Sequence, residues 1–377
     1  MDLDARLLDR CHINKNDEGD RFVGIKADSE NAMVYFPVGY QLPETDQEIR
    51  RDILHLISVL AEFTDKSDRV LAMKKFEAPQ SVDFPINAYM EVINYYLEQN
   101  SYYTEKEPVF KTSDRGSIDW AKTIRKQRPL IQADGSPVYT EYTVRVSSPN
   151  DKNLITQIHK YCVYESFQKI GWLFTPDLPP KPTIEKNTKM FLSVLNDKLA
   201  RTNNDKDKRL FAAMIAVLQY IDEQTNLKQF YFGTDSFEYV WEKLIDRVYG
   251  IKDKYRYFPR TRWYLKGKVK ENFALEPDSI MLYNGKIYVL DAKYYRYGIT
   301  GNPMHLPESS SINKQITYGE YIYTQERFKR EYGEDVPVYN AFLMPYNSAK
   351  NVFGFDSIYG NIGEARGEWK SGNHDYE

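Results

Sequence analysis

The chain has few cysteines, only Cys11 and Cys162 among 377 residues, and neither sits in a metal-type spacing. That excludes a disulfide scaffold and a Cys-rich zinc site. Its five histidines (His12, His55, His159, His305, His374) are dispersed, and the adjacent Cys11-His12 has no second pair to close a tetrahedral site. His159, inside a helical stretch, reads as a core or interface histidine rather than a base. The chain also has no apolar run near the ~18–20 residues that span a bilayer. Its first residues, MDLDARLLDRCHINKND, lack the apolar core of a signal peptide. These absences predict an intracellular, cytoplasmic protein with no membrane partner. Charge of one sign is missing too: the net charge of -3 excludes a uniformly basic nucleic-acid coat, though not a local basic groove.

What is present suits a large core, with 42% hydrophobic residues and 31 tyrosines. The length is comfortable for two domains. No internal repeat or long low-complexity tract interrupts it. NAMVYFPVGY (31–40) reads as strand, and RDILHLISVLAEF (51–63) carries a helical stripe. INAYMEVINYYLEQN (86–100) is a second helix, and VYTEYTVRV (138–146), after the ADGSP turn, alternates like a strand. Helices are expected over 153–174, 184–201, 210–224, 236–249 and 308–330, with a strand in 336–347. The Pro-rich TPDLPPKPT (175–183) stops the first of these, and a domain boundary is placed within 175–207. The division expected is an N-terminal mixed α/β recognition or assembly region over 1–180, a catalytic domain over 205–350 and a polar tail over 351–377. The fold class expected is α/β (α+β mixed), a mixed sheet flanked by helices.

The chemistry concentrates in EPDSIMLYNGKIYVLDAKYY (276–295). Asn284-Gly285 is the strongest short hairpin signal, and it separates two strand-like runs. Asp278 and Asp291 then stand at the same end of neighbouring antiparallel strands, and Asp291 and Lys293, two apart, project to one face. Two converging carboxylates repel unless a cation lies between them. Oxygen-only donors suit Mg²⁺, which keeps waters and gains phosphate oxygens from substrate. Asp-x-Lys by itself is also what a surface salt bridge looks like. The hairpin and the apolar IYVL before Asp291 favour a site instead. Pro176-Asp177 is a decoy, with no strand and no Asp-x-Lys after it.

Upstream, FGTDSFEYVWEKLIDRVYG (232–250) is an amphipathic helix with Glu238 and Glu242 on one face. Either suits a third acidic role, or both form a solvated face. Downstream, Lys314, Gln315 and Tyr318 lie on the helix after the Asp-x-Lys strand. Between helix and hairpin, KYRYFPRTRWYLKGKVK (254–270) holds seven Lys or Arg and no acid. Lys254, Arg256, Arg260, Arg262, Lys266, Lys268 and Lys270 are candidate phosphate contacts. Trp120, Lys122, Thr123, Arg125, Lys126 and Arg128 form a second basic-aromatic cluster, with a role in target recognition expected for the region before 175. Trp120 and Thr123 also read as plain packing residues.

The Pro-Asp, spacer, Asp-x-Lys pattern resembles the PD-(D/E)xK nuclease superfamily. More narrowly, GSIDWAKTIRKQRP (116–129), ITQIHKYCVYES (155–166), FGTDSFEYVWEKL (232–244), the 277–295 core and SINKQITYGEY (311–321) resemble the LlaJI-type restriction endonuclease family. The resemblance implies a catalytic domain in the C-terminal half and Mg²⁺-dependent cleavage of double-stranded DNA. It carries Asp278, Asp291 and Lys293 over as catalytic, with a helical Glu, Glu238 or Glu242, completing the metal shell and Gln315 contacting the site. Some such nucleases work beside a separate GTP-hydrolysing AAA+ subunit. This sequence has no GxxxxGK[ST] phosphate loop, so such a motor would be another polypeptide. A cognate DNA methyltransferase would be a further partner. A homodimer or larger assembly is expected, because cutting two strands takes two sites. A repair or recombination nuclease, and an inactive DNA-binding subunit, are the alternatives.

Overall fold

The structure, a computed structural model, describes residues 6–27, 32–63, 84–175, 177–223, 230–357 and 359–367. The expected strand at 31–40, the tail and the Pro176-Asp177 decoy therefore fall partly outside the described residues. The chain forms two units, one from residues 1–83 with 228–377 and the other from 84–227. This differs from the continuous division read from the sequence, because the N-terminal strands join the C-terminal half.

The first unit contains a sheet ordered β1 (Cys11–Ile13), β3 (Ala32–Phe36), β2 (Val23–Ala27), β4 (Phe230–Thr234). β2 runs antiparallel to both β3 and β4, and Gly24 stands opposite Gly233. A Cβ on Gly24, where φ is +142°, would fall 2.1 Å from the Phe232 oxygen. One on Gly233 would fall 2.2 Å from that of Val23. Only this glycine pair lets the two strands approach so closely. β3 alternates, with Ala32, Val34 and Phe36 buried.

Helix α1 (Asp46–Phe63) starts a turn earlier than its apolar stripe. Thr45 Oγ1 accepts from Glu48 N at 3.3 Å and donates to Glu48 Oε2 at 2.7 Å. That reciprocal cap satisfies an N-terminal amide that would otherwise lack a partner. Ile49, Ile53, Ile57 and Leu60 are fully buried. Each such side chain contributes about 1.5–3 kcal/mol on leaving water.

Helix α2 (Phe237–Tyr249) buries Phe237, Val240 and Ile245. The basic segment folds into an exposed two-stranded ribbon, β5 (Arg260–Leu265) and β6 (Lys268–Ala274), turning at Gly267 with φ +83°. The hairpin β7 (Ser279–Tyr283) and β8 (Lys286–Ala292) turns at Asn284 and Gly285, with φ of 49° and 72°. Positive φ at both positions matches the right-handed twist of the strands, so the register is fixed. Parallel to β8 lies β9 (Val338–Leu343), reached through α3 (Ser309–Thr324) and α4 (Glu326–Tyr332). The single helix expected over 308–330 breaks at Gln325, where ψ is 123°. Thr324 Oγ1 donates to the Glu320 and Tyr321 oxygens at 2.7 and 3.3 Å, local bonds that loosen the last turn. Ile280, Ile287 and Val289 pack with Tyr318, Ile322 and Phe328 in one buried cluster, which places α3 over the odd-numbered face of β8.

The second unit joins helices Ile86–Gln99, Leu154–Ile170, Thr188–Arg201 and Asp205–Glu223 with a small sheet of Lys106–Thr112, Thr143–Pro149 and Ser117–Ile118. The strand expected over 138–146 begins only at Thr143, because Pro137-Val138 pairs instead with Leu130-Ile131. His159 is buried in this unit and accepts on Nδ1 from Tyr103 N at 2.8 Å. Burial pushes its pKa down to about 3, so it is a neutral core histidine.

Candidate active site

Ser279 pairs with Leu290, so Asp278, one residue before β7, stands across from Asp291 near the end of β8. Asp278 Oδ2 accepts from Ala292 N at 2.8 Å. Lys254 donates to the Asp278 backbone oxygen at 2.8 Å and to Asp246 Oδ2 at 2.7 Å. Lys254, expected at a phosphate, therefore pins the start of β7 to α2. Lys293 Nζ lies 2.6 Å from Asp291 Oδ2, with side chains 19% and 15% exposed. The three charged groups meet at one end of the sheet, as the hairpin spacing predicts.

Their electrostatics are unbalanced. Burial pushes Asp278 up to about 7, reinforced by Asp291 and Glu242, while the Ala292 hydrogen bond and Lys293 pull the other way. Burial disfavours the Lys293 ammonium too, yet its bond to Asp291 and the pull of Asp291 and Asp278 hold its pKa above the ordinary value. One ammonium thus serves a pair of carboxylates with a third nearby.

Of the two helical acids, Glu242 acts on Asp278. Glu238 acts on Tyr294, whose pKa is raised by burial first and by Glu238 and Asp20 after it. Among the described residues, no group of three His, Cys, Asp or Glu side chains stands ready to hold a metal. A hard divalent cation needs only one or two carboxylates, its other positions going to water and phosphate. Asp278 and Asp291 fit that requirement.

Gln315 does not point at the carboxylates. Its Nε2 donates to the Val289 and Ala341 oxygens at 3.3 and 3.1 Å, lying across β8 and β9. Two further groups lie beside the site: Tyr318, named with Gln315 in the sequence, and Tyr294, which was not singled out there. Tyr318 is buried, its pKa pushed up to about 12 by burial and then by Asp291 and Asp278. Its spacing from Gln315 on one helix face was the available signal. Tyr294, next to Lys293, accepts on its hydroxyl from Val38 N at 2.7 Å, and its carbonyl accepts from Asn16 Nδ2 at 2.8 Å. No local signal foretold those N-terminal partners.

The candidate DNA contacts divide. Arg256 pairs with Glu331 and lies over Tyr257 and Phe328, at 5.4 and 5.7 Å from the ring centres. Arg262 pairs across the ribbon with Glu271 at 2.8 Å. Arg260, Lys266, Lys268 and Lys270 are exposed on the ribbon with Trp263 and Tyr264. In the second unit, Trp120, Arg125 and Arg128 are exposed, whereas Lys122 lies 2.7 Å over the Phe110 ring. Thr123 is buried and accepts from Thr143 N at 3.0 Å, a packing residue.

A mixed sheet with helices and small accessory sheets is a restriction-endonuclease-like fold. The chain belongs to the LlaJI restriction endonuclease family, whose model matches residues 22–362. Among solved structures it is similar to a half-complex of Thermococcus gammatolerans McrB AAA+ hexamers with bound McrC. The identity is 17%, with 86% of this chain and 70% of that chain covered and a TM-score of 0.34. A second similarity is to the McrBC complex of the same organism, at 18% identity, covering 60% of this chain and 65% of that chain, TM-score 0.25. No curated protein matches the chain. No described helix is long and apolar enough to cross a membrane.

Proposed function

We propose that the chain is a Mg²⁺-dependent, type II-like restriction endonuclease that hydrolyses phosphodiester bonds of double-stranded DNA through a PD-(D/E)xK site. The observation that carries this reading is the opposed pair Asp278 and Asp291 with Lys293 2.6 Å from Asp291. Family membership supports the substrate class.

Asp278 and Asp291 would hold the cation, with Glu242, the acid that acts on Asp278, completing the acidic set. When bound, the metal supplies charge neutralisation on the phosphodiester and an activated water. Lys293 is held charged by Asp291 and is suited to steady a phosphate oxygen or orient the water. Lys254 and the Ala292 amide fix Asp278 from behind, so its carboxyl need not reorganise during reaction. The ribbon lysines and the Trp120, Arg125 and Arg128 cluster are proposed DNA contacts. Cutting both strands calls for a second copy of the site, hence a dimer or larger assembly.

A nuclease subunit driven by an AAA+ GTPase is the second reading; this sequence has no phosphate loop, so the motor would be a separate polypeptide. The deciding experiment is cleavage of plasmid and genomic DNA, methylated and unmethylated, with Mg²⁺, for wild type and Asp291→Ala. Discrete fragments lost in the variant support the reading. Cleavage only with GTP and an added motor supports the second. DNA binding without cutting under any condition overturns both.

A further inference from the structure

The ribbon of β5 and β6 ends just ahead of Asp278, and its register is broken once. Arg262 pairs with Glu271 and Arg260 with Ala274, so β6 carries one residue too many opposite Thr261. Asn272 Nδ2 donates to Thr261 Oγ1 at 2.9 Å and takes the place across from it. Phe273 is the surplus residue, and a bulge of this kind re-aims a side chain out of the regular alternation. It stands 97% exposed, more than any other large apolar side chain among the described residues. Trp263 and Tyr264, also exposed on the ribbon, carry an N–H or a hydroxyl that suits a wet surface. Phe273 has neither.

The root of the ribbon is fixed to the site. Leu275 N donates to the Pro259 oxygen at 2.8 Å, and the Tyr318 hydroxyl donates to the Glu276 oxygen at 3.4 Å. Tyr318 packs in turn with Ile280, Ile287 and Val289 of the hairpin that follows Asp278 and carries Asp291. Five residues separate Phe273 from Asp278, so their Cα atoms lie at most ~18 Å apart, about five base-pair rises. In a chain of net charge -3, residues 260–274 hold five Lys or Arg against Glu271 alone, and Arg262 meets that acid at 2.8 Å. Three of the five are lysines, which are scarce in protein–protein interfaces and attracted by phosphates. The charge of the ribbon thus complements a nucleic-acid backbone.

We propose that Phe273 is a wedge that enters a base step of double-stranded DNA, with the ribbon lysines on the flanking phosphates. The wedge rests on the reading of the chain as a DNA nuclease and adds a point of distortion close to the cut. Apolar side chains pushed between neighbouring base pairs unstack them and kink the duplex. The exposed ring leaves water as it enters the step, which offsets the stacking lost there. A ring held near Asp278 by a braced strand also sets which phosphate, counted from the kink, meets the carboxylates. Phe273 is in this sense a positioning residue for the cleavage.

The test uses the full chain on a duplex that it binds, spanning the cut where it cuts, with 2-aminopurine stepped along one strand and Ca²⁺ in place of Mg²⁺. Wild type is expected to raise 2-aminopurine emission severalfold at one step, less than a helical turn from the cut. Phe273→Ala should abolish the rise, and Phe273→Leu, still an apolar wedge, should keep about half of it or more. Neither substitution removes a charge, so the log-affinity against log-salt slope should stay as in wild type. A side chain this exposed leaves folding untouched when it is changed. Equal emission profiles for wild type and Phe273→Ala would overturn the proposal, as would a response more than a helical turn from the cut. So would a Phe273→Ala chain that falls from dimer to monomer with the emission rise kept, since the ring would then serve a second copy. A Phe273-dependent rise with no cutting in Mg²⁺ sinks the nuclease reading and leaves the wedge in place. A chain that binds no DNA overturns both.

Discussion

Asn16 donates its side-chain amide to the Tyr294 carbonyl at 2.8 Å, and Val38 donates its backbone amide to the Tyr294 hydroxyl at 2.7 Å. The N-terminal strands thereby brace the residue that follows Lys293. Phe237 and Trp241 of α2 flank the same ring, with centroids 5.3 and 6.4 Å away. Asn16 and Val38 thus act as scaffold for the residue beside the site's lysine. Tyr294→Phe leaves the Val38 amide buried without its acceptor, at a cost of about 1–3 kcal/mol. Denaturant unfolding should show that loss, and cleavage should fall while DNA affinity holds.

Asp278 gives the fold a pH dependence of known sign. Its carboxyl ionises near the ordinary value when unfolded and at about 7 when folded. The folded state therefore holds the proton longer, and stability is lost as pH rises from about 4 to about 7. Without metal, unfolding free energy should decline across that window by on the order of a few kcal/mol. Asp278→Asn should flatten the decline. Adding Mg²⁺ above pH 7 should recover stability in the wild type and not in the variant.

Glu238 and Glu242 are separated by their neighbours, since only Glu242 acts on Asp278. Glu242→Gln should reduce cleavage by about 10²-fold or more, in the range for losing a group that organises transition-state charge. It should also lower the pH at which Asp278 titrates. Glu238→Gln should change both by less than about threefold.

On the ribbon, Trp263 pairs with Lys270 and Leu265 with Lys268, while Arg262 on the other face is neutralised by Glu271. Lys268→Ala with Lys270→Ala should weaken DNA binding across sequences. Each lost phosphate contact should reduce the log-affinity against log-salt slope by about 0.9. Arg262→Ala should alter that slope little. Equal slopes for all variants would remove the ribbon from the DNA interface.

The hairpin and its acids were legible in the sequence because they are local. Asn284-Gly285 fixes the register, and the register carries Asp278 to Asp291. The long helices were legible for the same reason, their stripes being internal to each segment. The β2–β4 pairing was not, since it depends on Gly24 meeting Gly233 far along the chain, and no periodicity encodes a distant partner. That one pairing redraws the division of the chain. Charge partners were hidden likewise: Arg256 and Lys254 looked free in a segment without acids, yet Glu331 and Asp246 come to them from other elements. Gln315 was placed on the right helix, but its orientation depends on two carbonyls of strands it does not belong to.

The most direct test of the account is cleavage by Lys293→Ala and Asp291→Ala against wild type on one DNA panel with Mg²⁺, with binding measured in parallel. Fragments are expected from wild type alone, with both variants binding DNA about as well. Cleavage undiminished in either variant would contradict it and leave the carboxylates and lysine as a structural ion-pair cluster.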